Sequence, residues 1–252
     1  MCTIALLLDT VADAPIVVAA NRDELYARPT RPPERSASGI VGGIDVLSGG
    51  TWLAVRADGR FAAVTNQRAL STPPPGLRSR GLAVRELVES DDPDAYVRAI
   101  DPARYASMNL VWGDGQHASI AYARQDGRLD IQALGPGIHV LCNDRLGAEG
   151  FPRGARLHAG LAAIAGQSFA QSQPVIERAL GDHTRVAVAE VPPSHLPPEL
   201  SRELTATCIH SELYGTRSST IFAAARGRVL HYLHSDGAPC TTPFLDRSPL
   251  LG

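Results

Sequence analysis

Cys2 stands directly after the initiator methionine, and its thiol can act as a nucleophile. Removal of Met1 would leave Cys2 with a free α-amino group beside its own thiol. The pKa of an α-amino group lies near ~7.7 to 8 and that of a thiol near ~8.5, so both groups exchange protons close to neutral pH. The amine can take the proton of the thiol and return it to a leaving amine. This pattern predicts attack on an amide, and the alternative is an ordinary buried thiol without chemistry.

A group of polar residues with the sequence Asn-Arg-Asp-Glu follows at residues 21–24. Residues 4–20 contain two short apolar runs separated by a turn, which predicts a hairpin that returns this tetrapeptide to Cys2. Arg22 beside the thiol would favour the thiolate, and Asp23 would hold or orient the α-amine. The alternative is a surface turn with a local ion pair of little energetic value.

Three further segments are candidates for the wall of a pocket around Cys2. Asn66 ends a predicted strand, and its amide can donate to an oxyanion, where loss of one donor costs ~10² to 10³ in rate. A strand-ending turn asparagine is the alternative.

Residues 28–38 are rich in Arg and Pro and predict a loop that either meets an anionic substrate group or is simply solvated. Residues 72–76 contain three consecutive prolines and predict a stiff wall.

The bulk composition is typical of an enzyme-sized soluble domain. The 252 residues carry a formal net charge of -2, which gives no reason to expect nucleic acid or an anionic membrane as partner. The apolar run at the start is too short for a signal peptide or a membrane span, so we expect a cytoplasmic protein. We predict one domain over residues 1–252, with a core at 1–235 and a loosely held tail at 236–252. The oligomeric state stays open.

The cysteines give no sign of a metal site in the sequence. They stand far apart, at Cys2, Cys142, Cys208 and Cys240. The paired spacing typical of zinc sites is absent, so the pattern predicts four free thiols, no metal and no required cofactor.

The remaining pattern predicts strands and helices in alternating groups. The predicted strands beyond the first hairpin are residues 40–46, 51–56, 61–66, 108–112, 118–124, 128–133, 138–142, 205–210, 220–225 and 229–234. The predicted helices are residues 81–90, 94–100, 151–165 and 173–180. Several turns between strands are too short for a helical crossover, so these neighbours must pair antiparallel. The pattern alone indicates a mixed α and β protein.

Four motifs occur in order along the chain: Met1-Cys2-Thr3, Asn21-Arg22-Asp23-Glu24, Gly49-Gly50-Thr51-Trp52 and Tyr214-Gly215-Thr216-Arg217-Ser218-Ser219-Thr220. Together they resemble the NRDE family, also called the transport and Golgi organisation 2 family. The resemblance spans residue 1 to about residue 235. It implies the N-terminal nucleophile (Ntn) hydrolase fold, which is an α+β four-layer αββα sandwich of two antiparallel sheets covered by helices.

The cysteine branch of that fold, the bile salt hydrolase and penicillin V acylase group, is similar in its pattern of polar residues. This resemblance implies a set of catalytic residues, namely Cys2, Arg22, Asp23, Asn66, Asn143 and Arg217. The motifs add four candidate substrate-binding residues, namely Asn21, Glu24, Trp52 and Tyr214. The implied function is hydrolysis of a non-peptide amide C–N bond in a small molecule.

The family resemblance also implies a second function without catalysis. Family members have been linked to the handling of haem or acyl lipids, so the same pocket could carry a hydrophobic ligand. Cys2 or His210 would then be the candidate haem ligand, although no spacing in the sequence requires it.

Overall fold

The computed structural model of the chain describes residues 2–68 and 73–252, so Met1 and the first residue of the predicted wall at 72–76 lie outside it. One antiparallel sheet contains β1 (Cys2–Val11), β2 (Ala14–Leu25), β10 (Gly137–Leu141), β11 (Tyr214–Ala225), β12 (Arg228–Ser235) and β13 (Leu245–Asp246). Its strands lie in the order β10, β1, β2, β11, β12, β13. Strands β1 and β2 form the predicted hairpin, which lies inside this sheet between β10 and β11.

The second sheet is an antiparallel meander in which chain neighbours are also spatial neighbours. It contains β3 (Thr30–Arg35), β4 (Ile40–Asp45), β5 (Leu53–Arg56), β6 (Phe61–Asn66), β7 (Met108–Gly113), β8 (Ala118–Ala123) and β9 (Leu129–Leu134). Most of its connections are turns that cannot hold a crossover helix, as the sequence predicted. The bounds of β6 agree with the predicted strand at residues 61–66.

Five α-helices occur in the described part of the chain, and the first four cover the outer faces of the two sheets. They are α1 (Arg80–Glu89), α2 (Pro93–Ala99), α3 (Pro152–Leu161), α4 (Phe169–Leu180) and α5 (Pro198–Glu203). Four 3₁₀ turns are found in the described part of the chain, at Pro102–Arg104, Ala162–Ile164, Val188–Glu190 and Ser248–Leu251. Helix α4 begins earlier than the predicted residue 173, because Ser168 and Gln171 form a capping box that satisfies the free N–H groups of its first turn.

Both faces of the first sheet are buried, and β1 shows this most clearly. Ile4, Leu6 and Leu8 pack between the two sheets. Ala5 and Leu7, on the opposite face, pack among residues of α3 and α4. Side chains alternate along a strand, so a strand covered on both sides must be apolar at nearly every position. The uninterrupted apolar run at residues 4–8 follows from this double burial.

The second sheet is covered on its outer face by α1 and α2, through Leu87 and Val97 among others. The layers are therefore helices, sheet, sheet, helices, with one core between the sheets and one under each helical layer. This architecture confirms the predicted α+β, αββα fold class. Burial of one large aliphatic side chain stabilises by about 1.5 to 3 kcal/mol, so the three cores supply the driving force for the layering.

The prediction of a loop at residues 28–38 was wrong, since residues 30–35 form β3. This strand lies at the edge of its sheet. Its two prolines, Pro32 and Pro33, fall where the pairing with β4 is interrupted between Arg31 and Glu34. Proline lacks an N–H donor, and an edge strand tolerates that loss where a central strand does not.

The prediction of a strand at residues 205–210 was also wrong. The segment is irregular, and its backbone groups are bonded by other means: Cys208 N donates to Asp182 O at 2.9 Å. Ile209 N donates to Thr216 Oγ1 at 2.9 Å. The next strand, β11, begins at Tyr214 rather than at the predicted residue 220, because residues 214–219 pair with β2.

The C-terminal segment is held more firmly than the predicted loose tail at residues 236–252. Strand β13 pairs with β12. Leu250 and Leu251 pack against the core between the sheets. Tyr232 N donates to Ser248 Oγ at 2.9 Å. The sequence pattern missed this because the anchoring contacts come from a few residues dispersed among turns.

None of the described helices is both long and apolar enough to cross a membrane. The cytoplasmic location remains a prediction.

Candidate active site

Cys2 and Arg22 lie directly opposite each other across the β1–β2 pair. Directly opposite residues on antiparallel strands present their side chains to the same face, here the face between the two sheets. Both residues are largely buried, with exposed fractions of 8% for Cys2 and 7% for Arg22. They line one cavity of about 220 Å³ at the end of the sheet. The structure therefore brings together the two residues from which the sequence argument began.

The cavity around Cys2 is strongly charged. Besides Arg22 it is lined by three more arginines, Arg28, Arg78 and Arg80. The Arg28 Nη2 lies 2.5 Å from Asp45 Oδ2. Arg78 forms an ion pair with Glu86. Arg22 and Arg80 form no ion pair with a carboxylate in residues 2–68 and 73–252, so two guanidinium groups in this cavity remain available to an anion.

The Gly-Gly-Thr-Trp motif explains how Arg80 reaches the cavity. A Cβ on Gly50 would lie 2.8 Å from the Cα of Gly81 and 2.7 Å from Leu82 N, closer than real Cβ atoms approach. Thr51 N donates to Gly81 O at 3.1 Å. Only glycine at position 50 lets the start of α1 dock this closely. Trp52, the last residue of the motif, lines the cavity as the sequence proposed for a substrate-binding residue.

Asp23 lies opposite Thr216 in the β2–β11 pair, and its carboxylate is held from that side. Thr216 Oγ1 donates to Asp23 Oδ1 at 2.7 Å. Tyr214 Oη donates to the backbone carbonyl of Asp23 at 2.9 Å. Burial raises the pKa of Asp23, and the nearby Arg153 guanidinium opposes that rise. The carboxylate thus has a defined orientation beside the residues that line the cavity.

A chain of hydrogen bonds connects Arg153 to both predicted asparagines. The Arg153 Nη2 donates to Asn143 Oδ1 at 2.6 Å. Asn143 Nδ2 donates in turn to the backbone carbonyl of Asn66 at 2.8 Å. The Arg153 Nη1 lies 4.0 Å from Asp23 Oδ2. Both polar atoms of the Asn143 side chain are therefore engaged, and this side chain positions its neighbours.

Asn66 lines the Cys2 cavity and also a second, larger cavity of about 670 Å³. The wall of the second cavity is mostly apolar and includes Phe151, Pro192, Pro193, Leu196, Leu200 and Leu204. Tyr214 and Asn143 also line it. Asn66 thus stands where a compartment with charged residues meets an apolar one.

Two of the predicted site residues line neither cavity. Arg217 is the extra residue at a bulge in β11, between the pairs Thr216 with Asp23 and Ser218 with Arg22. A bulge re-aims the side chain that it carries. The Arg217 Nη1 donates to Leu25 O at 3.2 Å, and the same nitrogen bonds the carbonyl of Tyr26. Arg217 therefore holds the segment that follows β2.

Asn21 is the second residue that the structure keeps out of both cavities, and it is fully buried under α4. Its Nδ2 donates to Leu180 O at 2.9 Å and to Thr207 O at 2.9 Å. Its Oδ1 accepts from Ser219 Oγ. Asn21 therefore ties β2 to the end of α4 and to the irregular segment before β11. Glu24, by contrast, lines the Cys2 cavity, and its role in substrate binding stays a prediction.

A family model for transport and Golgi organisation 2 matches residues 1–235 of the chain. The chain belongs to the transport and Golgi organisation 2 family. Transport and Golgi organization protein 2 homologues of Bos taurus and Homo sapiens are each 29% identical to it over 238 residues, which is 82% of this chain and 80% of each relative. The Mus musculus homologue is 27% identical over 234 residues, 85% of this chain and 84% of that relative. The family assignment made from four motifs is confirmed.

Two solved structures show the fold of this member of the transport and Golgi organisation 2 family. A Caenorhabditis elegans ortholog of N-acylethanolamine-hydrolyzing acid amidase matches with a TM-score of 0.56 at 12% identity, over 88% of this chain and 92% of that chain. A mutant conjugated bile acid hydrolase from Clostridium perfringens matches with a TM-score of 0.56 at 10% identity, over 100% of this chain and 94% of that chain. Both have the Ntn hydrolase fold, which confirms the predicted fold class.

Arg153 is the residue of this family member's site that the sequence argument missed. It has an exposed fraction of only 1% and lies at the start of α3. The same face of α3 carries the buried Leu157 and Leu161 at spacings of four residues. An arginine within such an apolar stripe must find buried partners, and that signal was available in the sequence. Arg80 had no such signal, because its position depends on docking at Gly50.

We expect replacement of Asn21 with alanine to destabilise the fold by about 1 to 3 kcal/mol, since it leaves buried carbonyl groups without a donor. The variant loses both bonds to Leu180 O and Thr207 O. Urea unfolding followed by circular dichroism measures the change. The control variant is Gln116→Ala, because Gln116 is exposed. Gln171 is also exposed but makes a capping hydrogen bond, so it is not used. Equal unfolding midpoints for the two variants would contradict the assigned role.

The surroundings of Cys2 do not by themselves activate its thiol. Burial raises the pKa of the Cys2 thiol above its ordinary value, and the Asp23 carboxylate acts in the same direction, while the Arg22 guanidinium opposes them. A raised pKa means a smaller thiolate fraction at neutral pH. With Cys2 kept internal by an N-terminal extension, we expect its alkylation rate by iodoacetamide to keep rising as the pH passes 9.0. An alkylation rate that levels off near neutral pH would refute this. The chain unfolded in guanidinium chloride is the control, since it gives the pH dependence of an unperturbed thiol.

Proposed function

We propose that the chain is an Ntn amidohydrolase in which Cys2, after removal of Met1, attacks the carbonyl carbon of a non-peptide amide in a small molecule. The observation that carries this proposal is the position of Cys2 opposite Arg22 in a cavity at the end of the β1–β2 hairpin. The fold supports it, since both similar solved structures are hydrolases of small molecules, namely an N-acylethanolamine-hydrolyzing acid amidase ortholog and a conjugated bile acid hydrolase.

The chemistry uses the α-amine of Cys2 as the only general base. The amine takes the thiol proton while the Sγ–C bond forms and the carbonyl π electrons move to oxygen. The Asn66 amide and the Arg22 guanidinium are suited to stabilise that oxyanion. The C–N bond then breaks, the leaving amine takes the proton, and a thioester remains. Water, deprotonated by the α-amine, releases the carboxylic acid and restores the thiol.

The other residues around the site act by positioning in this proposal. Asp23 orients the α-amine, and Thr216 and Arg153 hold Asp23. Asn143 carries no free polar atom and fixes the end of β6 through Asn66 O. Arg217, predicted as a charge stabiliser, is assigned to holding the segment after β2.

The two cavities indicate the substrate class. An apolar acyl group fits the larger cavity of about 670 Å³, which is within the usual range for ligand pockets. The leaving amine then lies in the Cys2 cavity, where Arg22 and Arg80 have no carboxylate partner in the described part of the chain. With Arg22 assigned to the oxyanion, a carboxylate on the amine side would pair with the Arg80 guanidinium. We therefore propose N-acyl amino acids as substrates.

The test compares long-chain N-acylglycines with uncharged N-acylethanolamines of the same acyl length, by release of the free amine. Intact mass must first show that Met1 is absent. We expect the wild type to hydrolyse the N-acylglycine faster than the N-acylethanolamine. In Arg80→Gln we expect the KM for the N-acylglycine alone to rise about 10- to 100-fold, because a hydrogen bond to a charged group is lost. The exposed Arg85→Gln on the same helix is the control. No amine release from either series, with Cys2 free and N-terminal, would overturn the proposed function.

The larger cavity also supports a second candidate function, which is binding of an acyl lipid without turnover. Its wall is mostly apolar, with Arg68 and Arg153 among its polar residues, and it does not contain Cys2. Saturable binding of a fluorescent fatty acid by the wild type, with no amide hydrolysis, would favour this candidate. A haem absorbance shift that is lost in Cys2→Ala would favour the haem variant. His210, the other candidate haem ligand, lines neither cavity.

A further inference from the structure

Four potential metal ligands converge on the side of the first sheet, outside both cavities. They are His183, Cys208, His210 and Cys240, and their ligand atoms all lie within 4.8 Å of one another. The two sulfurs are 3.6 Å apart. The His210 Nε2 lies 3.5 Å from Cys208 Sγ and 3.2 Å from Cys240 Sγ.

These separations match the edges of a zinc tetrahedron. Zn–S bonds of ~2.3 Å and Zn–N bonds of ~2.0 to 2.1 Å place two sulfurs roughly 3.8 Å apart, and a sulfur and a nitrogen roughly 3.6 Å apart. The observed sulfur separation and both sulfur to nitrogen separations fall within a few tenths of an ångström of these values. We propose that His183, Cys208, His210 and Cys240 bind one Zn²⁺ ion.

The ligand set indicates both the metal and its role. Two thiolates and two imidazoles in tetrahedral arrangement are the donors that select zinc. Four protein ligands leave no open position for water or substrate, and this distinguishes a structural zinc site from a catalytic one. Cys208 is buried, whereas His183 and His210 are exposed, so the ion has a route of entry from solvent.

The backbone brings the ligand segments together independently of an ion. Cys208 N donates to Asp182 O at 2.9 Å, which sets Cys208 beside His183. A Cβ on Gly181 would lie 3.4 Å from both the N and Cα of Cys240, so Gly181 packs directly on the third segment. The imidazole rings of His183 and His210 are 5.0 Å apart between centroids. Because the site is assembled by these contacts, little further ordering is needed on binding.

The ion would support the active site through one residue between the ligands. Ile209 lies between Cys208 and His210, and its N–H donates to Thr216 Oγ1 at 2.9 Å. That hydroxyl donates to Asp23 Oδ1 at 2.7 Å. Zinc at this site would fix the segment that orients Thr216, and thereby the carboxylate of Asp23. The metal is proposed from its own ligands and stands whether or not the chain hydrolyses amides.

The test is the metal content of the full chain, purified under reducing conditions without chelators and measured by inductively coupled plasma mass spectrometry. We expect one zinc per wild-type chain and loss of zinc in Cys208→Ser and in His183→Gln. The control variants Cys142→Ser and His117→Gln each remove one thiol or one imidazole that lies outside the cluster, and we expect both to retain the metal. Replacement of zinc by Co²⁺ should produce tetrahedral d–d bands and thiolate-to-cobalt charge-transfer bands.

A variant that fails to fold does not decide the question, so the wild type provides a second measurement. After removal of metal with a chelator, we expect stoichiometric Co²⁺ titration of the wild-type chain and recovery of its melting temperature with Zn²⁺. Absence of cobalt charge-transfer bands, or a melting temperature unaffected by chelator and zinc, would overturn the proposal. So would a Cys208–Cys240 disulfide in the freshly reduced, zinc-supplied protein.

Discussion

Replacement of Cys2 with alanine is expected to abolish amide hydrolysis, with a fall in kcat on the order of 10⁶, as when the nucleophile of a serine hydrolase is removed. The variant keeps the α-amine but has no atom that can form the thioester. The side chain loses only its sulfur, so the fold should persist. Amine release from an N-acylglycine measures the change, and circular dichroism shows whether the fold is retained.

Cys142→Ala is the matched control for this experiment. Cys142 is buried like Cys2, and its backbone carbonyl accepts from Thr65 Oγ1 at 2.8 Å. Its thiol lies beside the Arg153 guanidinium, so the control also measures the effect of losing that contact. We expect the control to hydrolyse the amide within a few-fold of the wild-type rate. Hydrolysis retained in Cys2→Ala, or lost equally in both variants, would remove Cys2 from the role of nucleophile.

Replacement of Arg153 with methionine is expected to lower the free energy of unfolding by about 3 to 5 kcal/mol, the cost of removing one partner of a buried ion pair. Methionine fills similar space without charge. The buried Asp23 carboxylate, 4.0 Å from Arg153 Nη1, then loses the favourable charge of that guanidinium. Asn143 Oδ1 also loses its donor. Urea unfolding at neutral pH measures the difference.

The exposed Arg178→Met on α4 is the control for Arg153→Met, and it should change stability by no more than about 0.5 kcal/mol.

The pH dependence of the Arg153→Met penalty shows whether the charge of Asp23 causes it. Burial raises the pKa of Asp23 and Arg153 opposes that rise, so the variant should raise it further. A carboxyl with a raised folded-state pKa stabilises the fold while protonated and loses that contribution as the pH rises through the folded pKa. The penalty of Arg153→Met should therefore shrink under acidic conditions, and Asp23→Asn should relieve it. A penalty independent of pH and of Asp23 would show that lost packing dominates.

Most strands, and the residues that the first hairpin brings together, could be predicted from the sequence because they depend on local patterns of apolar residues and turns. The apolar runs around a turn at residues 11–15 specify the β1–β2 hairpin and so return residues 21–24 to Cys2. The register shift between Leu8 and Val11 then places Arg22 opposite Cys2. The run at residues 61–66 specifies β6 in the same way. Edge strand β3 and the irregular segment at residues 205–210 departed from prediction, because their pairing depends on tertiary neighbours.

Tertiary structure decided the residues whose partners lie far away along the chain. Arg217 was re-aimed by a bulge that exists only because β11 pairs with β2. Arg153 meets Asp23 and Asn143 only when α3 packs on the first sheet. His183, Cys208, His210 and Cys240 share no motif spacing, since three separate segments supply them. The sequence by itself determined the family through its motifs, the fold class through that family resemblance, and the return of residues 21–24 to Cys2 through the short-range geometry of a hairpin. The wider network needed the packed layers, because contacts between distant segments leave no periodic trace in the sequence.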